Sequence, residues 1–338
     1  GSVKVVGAAR SLVSSVRNSD GSVREDAKEI QPEDGQRDYH GPARISPWWS
    51  VSFNVLAEIM GTGILSLPST VAGLGYILGS LSILIFAFAV YYQGFLLQKV
   101  KNKYYKHVLS YGDIAFVLHG SIFETFVRYL LYANWYALLC YYILALTSAL
   151  MSSFYLRAVC FYTWGLIAIA VLLPFAQLRT FHAMSYVSIL SFLAILGAVG
   201  IIAASFITGE NTEEDFVPPS IAVPSQSFLV GYTNIANIIF SFQGQSEFVE
   251  MMAEMKDPKQ FPLALLVAQV IMLVMYLFTS LLSYTYGGQG VHGFVLYSLP
   301  ENRLRTAAAM LIAFHIVVAY IVTGQPLTYK LHEFFSPK

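Results

Sequence analysis

Gly61-Thr62-Gly63-Ile64-Leu65-Ser66-Leu67-Pro68 sits in the middle of an otherwise unbroken apolar run over residues 50–72. Two glycines weaken a helix at this place, and Pro68 removes one backbone donor from the turn before it. The stretch therefore predicts an interrupted helix. A second run, 228–254, carries Phe240-Ser241-Phe242-Gln243-Gly244-Gln245-Ser246, flanked by Asn234, Asn237, Glu247, Glu250 and Glu254, and predicts another. Gly-x-Gly also serves close packing between helices, and for the first run alone that reading stands beside the interruption.

The surroundings of both stretches are those of a bilayer-spanning chain. Of 338 residues, 56% are hydrophobic and 12% charged, about half the usual charged share of a soluble protein. Residues 1–46 hold 14 of the 40 acids and bases and few large apolar side chains, so they read as a disordered tail. Eight segments beyond it are apolar enough to cross a membrane: about 50–72, 76–98, 121–150, 158–176, 183–207, 228–254, 262–286 and 304–325. The predicted fold class is an all-α polytopic membrane protein. Trp48 and Trp49 suit the interface at the mouth of the first helix. A formal net charge of zero implies no global pull toward nucleic acid. Cys140 and Cys160 alone make neither a disulfide framework nor a metal cluster.

The distribution of Lys and Arg predicts an orientation. With the tail inside, its seven basic residues share a side with Lys99, Lys101, Lys103, Lys106, Arg179, Lys256, Lys259, Lys330 and Lys338. Arg157, Arg303 and Arg305 fall opposite, with the acidic loop holding Glu210, Glu213, Glu214 and Asp215. Both termini are expected in the cytosol.

Irregular backbone at membrane depth survives only where protein or a water-filled cavity satisfies the freed groups. In secondary transporters built from repeats, interrupted helices at matching positions of the two halves mark the substrate site. If the repeat is five helices, segments 1 and 6 are its equivalent first members.

Gly61 to Pro68, Phe240 to Gln245, Glu254-Met255-Lys256-Asp257-Pro258 and Phe261-Pro262 together resemble the amino acid/auxin permease family. Ala57-Glu58-Ile59-Met60 looks most like fungal and protist members, and the resemblance covers residues 47–335. It implies the inverted-repeat fold of the bacterial leucine transporter type, in which ten of the family's eleven helices form two repeats of five. Here the first repeat is expected to be complete (helices 1–5) and the second partial (helices 6–8), because the chain ends at Lys338 soon after the eighth segment. Members move neutral and other amino acids, or auxin in plants, coupled to protons or sodium.

The resemblance assigns roles to the two stretches. Backbone around Gly61, Thr62, Gly63 and Ile64 would bind a substrate carboxylate, and carbonyls near Phe240, Ser241, Phe242 and Gln243 its amino group. Phe240 or Phe242 would wall the side-chain pocket. The helix 3 run Tyr132, Trp135, Tyr136, Tyr141 and Tyr142 would border the same cavity. Ionisable side chains inside a bilayer are costly and are candidates for ion coupling. Glu58, His315 and Glu247 are the proton-coupling candidates, and a Glu58–His315 contact is the sharper expectation. Helix 8 offers no Ser or Thr between Phe314 and Tyr320, which favours protons over the alternative ion, sodium.

The resulting reading is a secondary transporter of amino acids, neutral and proton-coupled, working by alternating access around broken helices 1 and 6. It needs no cofactor beyond its coupling ions, and its partners are an amino acid and the lipid bilayer. The plasma membrane or a vacuolar/lysosomal membrane is the expected location. No phosphate loop, metal-ligand cluster or nucleophile–base set suggests an enzyme. The alternatives are an auxin-like or polyamine cargo, and a truncated, transport-incompetent product or amino acid sensor.

Overall fold

A computed structural model describes residues 44–104, 108–157, 159–175, 181–209, 216–224 and 226–335. The expected tail through residue 43 and the acidic loop stretch 210–215 lie outside the described residues. The structure is built of helices, and the β-pairing among the described residues is one isolated bridge, Ser46 to Met255.

The first predicted interruption is not there. Helix α1, residues 48–74, passes through Gly61 to Pro68 with helical backbone angles throughout, and the chain turns only at Gly75, where φ is 74° and ψ is 170°. Helix α2, residues 76–104, follows at once. The physical reason is the other use of small residues. Gly61 and Gly63 let neighbouring helices approach instead of breaking their own. Pro68 is accommodated within the helix, and the Ser69 and Thr70 hydroxyls donate back to the Ser66 carbonyl at 2.9 and 3.1 Å.

The corner at Gly75 is sealed by residues 220–222. A Cβ on Gly75 would run into the Ala222 carbonyl, and the left-handed φ suits glycine. Tyr76 and Ile77 open α2 with amides that lack helical partners. They donate instead to the carbonyls of Ser220 and Ile221, at 3.2 and 3.4 Å.

A short helix, α3 (Tyr111–His119), absent from the predicted segments, starts with a reciprocal cap between Ser110 and Asp113. Then come α4 (Ser121–Ser153), α5 (Phe161–Phe175) and α6 (Phe181–Ile207). The sixth segment is interrupted. Helix α7 (Phe228–Ser241) stops, Phe242–Gly244 is non-helical, Gln245–Glu247 forms a 3-10 turn, and α8 (Phe248–Glu254) resumes. Helices α9 (Phe261–Gly287) and α10 (Arg303–Phe335) complete the order.

Helix α1 is the hub. Ser52 donates to the Ala264 carbonyl of α9 at 2.9 Å, and Ser188 of α6 donates to Asn54 at 2.8 Å. Gly61 faces Tyr142 of α4 and Ala319 of α10, and Gly63 faces Ser241 of α7. Apolar surface gains little by moving from lipid to protein, so small-residue packing and interhelical hydrogen bonds carry the association. The outer faces stay apolar, with Phe88, Ile122, Tyr162 and Phe228 among the most exposed side chains. Among the described residues, five stretches are long and apolar enough to cross a membrane: Gly63–Lys103, Ser121–Ser153, Tyr186–Ile207, Pro258–Gly290 and Arg303–Thr328.

Candidate functional site

The break in the sixth segment meets α1 at its glycines. A Cβ on Gly63 would lie 2.7 Å from the Ser241 Cβ, so the α7 terminus and α1 touch almost backbone to backbone. Gly244 plays the reciprocal part, because a side chain there would strike Ile59. Tyr276 of α9 ties the two elements together, its hydroxyl lying 2.8 Å from the Ser241 carbonyl and 3.0 Å from that of Ile59. Tyr142 of α4 donates to the Glu58 carbonyl at 2.8 Å. Two buried tyrosines thus bind carbonyls of α1 and of the last turn of α7, close to the expected substrate backbone.

Two cavities flank this contact. The larger, about 500 Å³, is lined by Ser66, Ser69 and Thr70 of α1, by Asn234, Asn237 and Phe240 among others on α7, and by Gly293. Asn237 spans it, donating to Thr70 Oγ1 at 2.6 Å and accepting from Ser66 at 3.3 Å. The smaller, about 300 Å³, lies between α4 and the break, and Asn134, Gln243, Gln245 and Ser246 supply its polar wall. Gln243 donates across it to Asn134. In both, the polar lining is hydroxyl and amide.

The residues expected to hold substrate divide between these places. Phe240 lines the larger cavity and meets Tyr141 edge-on, with ring centroids 4.9 Å apart. Gln243 lines the smaller. Ser241 and Phe242 are buried in the contact, Ser241 donating to the Asn237 carbonyl at 2.8 Å and Phe242 packing edge-on against Tyr276. Gly61 and Gly63 are packed and Ile64 is fully buried, while the Thr62 backbone continues the helix. Of the helix 3 aromatics, Tyr141 and Tyr142 reach the site; Tyr136 is mostly exposed and Tyr132 pairs with Trp135.

The acidic candidates converge. Glu58 and Glu247 are 1% and 0% exposed, and their carboxyls face each other within hydrogen-bonding reach. Among the described residues no N–H or O–H donor reaches any of the four oxygens. His315 is elsewhere. Its Nδ1 lies 2.8 Å from Ser191 Oγ and 3.2 Å from the Ser191 carbonyl on α6, so the expected Glu58–His315 contact does not form. α10 does pack beside α1, but the imidazole faces α6.

Reading the sequence missed Tyr276 and Asn134. Nothing distinguishes Tyr276 among 22 tyrosines. Ser66, Ser69 and Thr70 did carry a signal, a row of hydroxyls on an apolar helix.

A family model described as transmembrane amino acid transporter protein matches residues 44–338. The chain is 25% identical to amino acid transporter AVT1C of Arabidopsis thaliana, over 95% of this chain and 58% of that protein. It is 26% identical to a transmembrane transporter of Fusarium pseudograminearum, over 72% of this chain and 52% of the other. A third relative, vacuolar amino acid transporter 5 of Schizosaccharomyces pombe, is 23% identical over 65% of this chain and 54% of its own length. The chain spans about half the length of these curated relatives.

Proposed function

The chain belongs to the transmembrane amino acid transporter family, and on that premise we propose that it is a secondary transporter of neutral amino acids driven by protons. The observation that carries the reading is the interruption between α7 and α8, set against the glycines of α1 and flanked by uncharged polar cavities. A broken helix at membrane depth exposes main-chain donors and acceptors, which can hold the charged ends of an amino acid. Amide and hydroxyl linings favour a cargo without net side-chain charge, since a buried unpaired charge would be costly.

The substrate enters through the cavity of Ser66, Asn237 and Phe240. Its carboxylate end lies against Gly61 to Ile64, whose amides are spent within the unbroken α1, and its amino group is held by carbonyls near Phe240 to Gln243. Both glycines are close-packed in this structure. Binding there therefore requires α7 and α8 to separate from α1, and alternating access is that separation. The mobile element on this reading is the interrupted helix, with α1 as the fixed wall. Glu58, Glu247 and His315 are the proton-coupling candidates. Arrangement as inverted repeats of the bacterial leucine transporter type, with a cytosolic N-terminus and a vacuolar or plasma membrane location, completes the proposal.

The test is uptake of amino acids into proteoliposomes carrying the purified chain, with and without an inward proton gradient. Saturable, gradient-stimulated uptake of uncharged amino acids is the expected result. Uptake of cationic or indole cargo in their place overturns the substrate class, and uptake indifferent to the gradient overturns the coupling.

A further inference from the structure

Glu58 comes from α1 and Glu247 from the 3-10 turn that leads into α8. Of the groups around their facing carboxyls, Glu250 comes from α8, Tyr142 from α4 and Tyr276, through Tyr142, from α9; α10 contributes the Thr323 hydroxyl beside Tyr142. The two tyrosine hydroxyls are already engaged with main-chain carbonyls. Among the described residues no Lys, Arg or His faces the pair; Lys101 faces Glu250 and donates to the Val249 carbonyl at 3.1 Å.

Two ionised carboxylates cannot rest in contact without a donor or a cation between them. One proton removes the conflict, because the protonated carboxyl donates O–H to the ionised one. The pair also joins α1 to a limb that is held at other points by the Lys101 bond to the Val249 carbonyl and the Ser46 bond to the Glu254 carbonyl. Glu247 rides on a limb linked to α7 only through the non-helical Phe242–Gly244, while Glu58 sits on the continuous α1.

We propose that Glu58 and Glu247 form a single proton site, and that its shared proton clamps the limb of residues 245–254 to α1. Binding one proton from water makes the O–H···O bond and closes the limb; losing it leaves two facing negative charges that push the limb away. The inference rests on the transport reading above. It adds that the carrier is a pair rather than either residue, and it names the element that the proton moves.

The experiment uses the full chain in liposomes with three readouts: the carboxylic C=O signal in an acid-minus-alkaline infrared difference spectrum, hydrogen exchange over residues 245–254, and gradient-driven uptake. The uptake probe is the amino acid that the wild type accumulates best from an equimolar mixture. Glu58→Gln and Glu247→Gln are each expected to abolish the same infrared signal, since a glutamine can donate permanently to the remaining carboxylate. Protection over 245–254, corrected for the intrinsic pH dependence of amide exchange, should fall at alkaline pH in the wild type and stay high in both variants. Each should lose the about tenfold accumulation that one pH unit can drive for one proton per substrate, while a monodisperse elution and a cooperative melting transition in detergent show that both variants fold.

A signal lost in only one variant, or a limb equally protected at both pH values in the wild type, overturns the clamp. So does gradient-driven accumulation that survives either substitution. A wild type with the shared signal and pH-dependent limb but no uptake supports the clamp and rejects the transport reading. Gradient-driven uptake without the signal does the reverse.

Discussion

Gly63 of α1 and Ser241 of α7 meet so closely that a methyl group on the glycine would lie 2.8 Å from the serine Cα. Backbone cannot yield as a side-chain tip can. Gly63→Ala is therefore expected to displace the end of α7 and lower stability by about 1–3 kcal/mol. In Gly61→Ala the added methyl meets the Tyr142 ring edge at 2.9 Å, and that ring can shift, so the cost should be smaller. Thermal melting in detergent checks the order of the two, and a Gly63→Ala variant as stable as the parent would contradict it.

Tyr276 holds both sides of this junction with one hydroxyl, whereas Tyr142 holds one. Interhelical hydrogen bonds in membranes are individually modest. Tyr276→Phe should cost about 1–2 kcal/mol and Tyr142→Phe about 0.5–1 kcal/mol. The same melting series measures this, with equal losses counting against the bridging role.

Asn237 crosses the larger cavity between Thr70 and Ser66. Both hydroxyls still donate when it is removed, Ser66 to the Gly63 carbonyl and Thr70 to the Ser66 carbonyl. Asn237→Ala should then leave melting nearly unchanged and raise the KM for uptake about five- to tenfold, the equivalent of about one hydrogen bond. A change in melting without a change in KM would place Asn237 in structure and outside recognition.

Asp113 serves two structures at once. Its Oδ2 accepts from the Leu109 and Ser110 amides at 3.1 and 3.0 Å, and its Oδ1 accepts from Arg128 at 2.7 Å. Asp113→Ala should cost about 1–2 kcal/mol, mostly through the lost cap, because partly exposed ion pairs contribute little. Glu124→Ala leaves Arg128 its Asp113 partner and should cost less. Hydrogen exchange over α3 distinguishes them, accelerating in the first variant alone.

The reach of the sequence can be judged from these same residues. Apolar runs made the all-helical membrane character legible, because every helix face turned to lipid must be apolar and the backbone must satisfy its own hydrogen bonds. The interruption after Ser241 was legible too, since Gly244 sits among polar residues with no helical stripe to serve. The stretch Gly61–Pro68 was not. Glycine next to a helix axis is equally suited to breaking the helix and to admitting a neighbour, and only the position of Ser241 and Tyr142 decides between them. Glu58 and Glu247 each declared themselves as buried charges, but their pairing depends on where the chain returns after the break. His315 shows the converse, since an apolar helix gives no sign of which neighbour will offer a serine.

Before α1 begins, Ser46 donates to the Glu254 carbonyl at 3.0 Å and accepts from the Lys256 amide at 2.9 Å. The chain entering the first helix and the chain leaving the interrupted one are stitched together there. Those two bonds make a lever with a fixed fulcrum: the far end of α8 cannot swing unless the lead-in to α1 travels with it or the stitches part. Parting them costs about 1–3 kcal/mol, a few times thermal energy, so the joint holds at rest and yields to a modest pull. Tension on the residues before Ser46 thus reaches the end of the broken helix directly, without passing along α1.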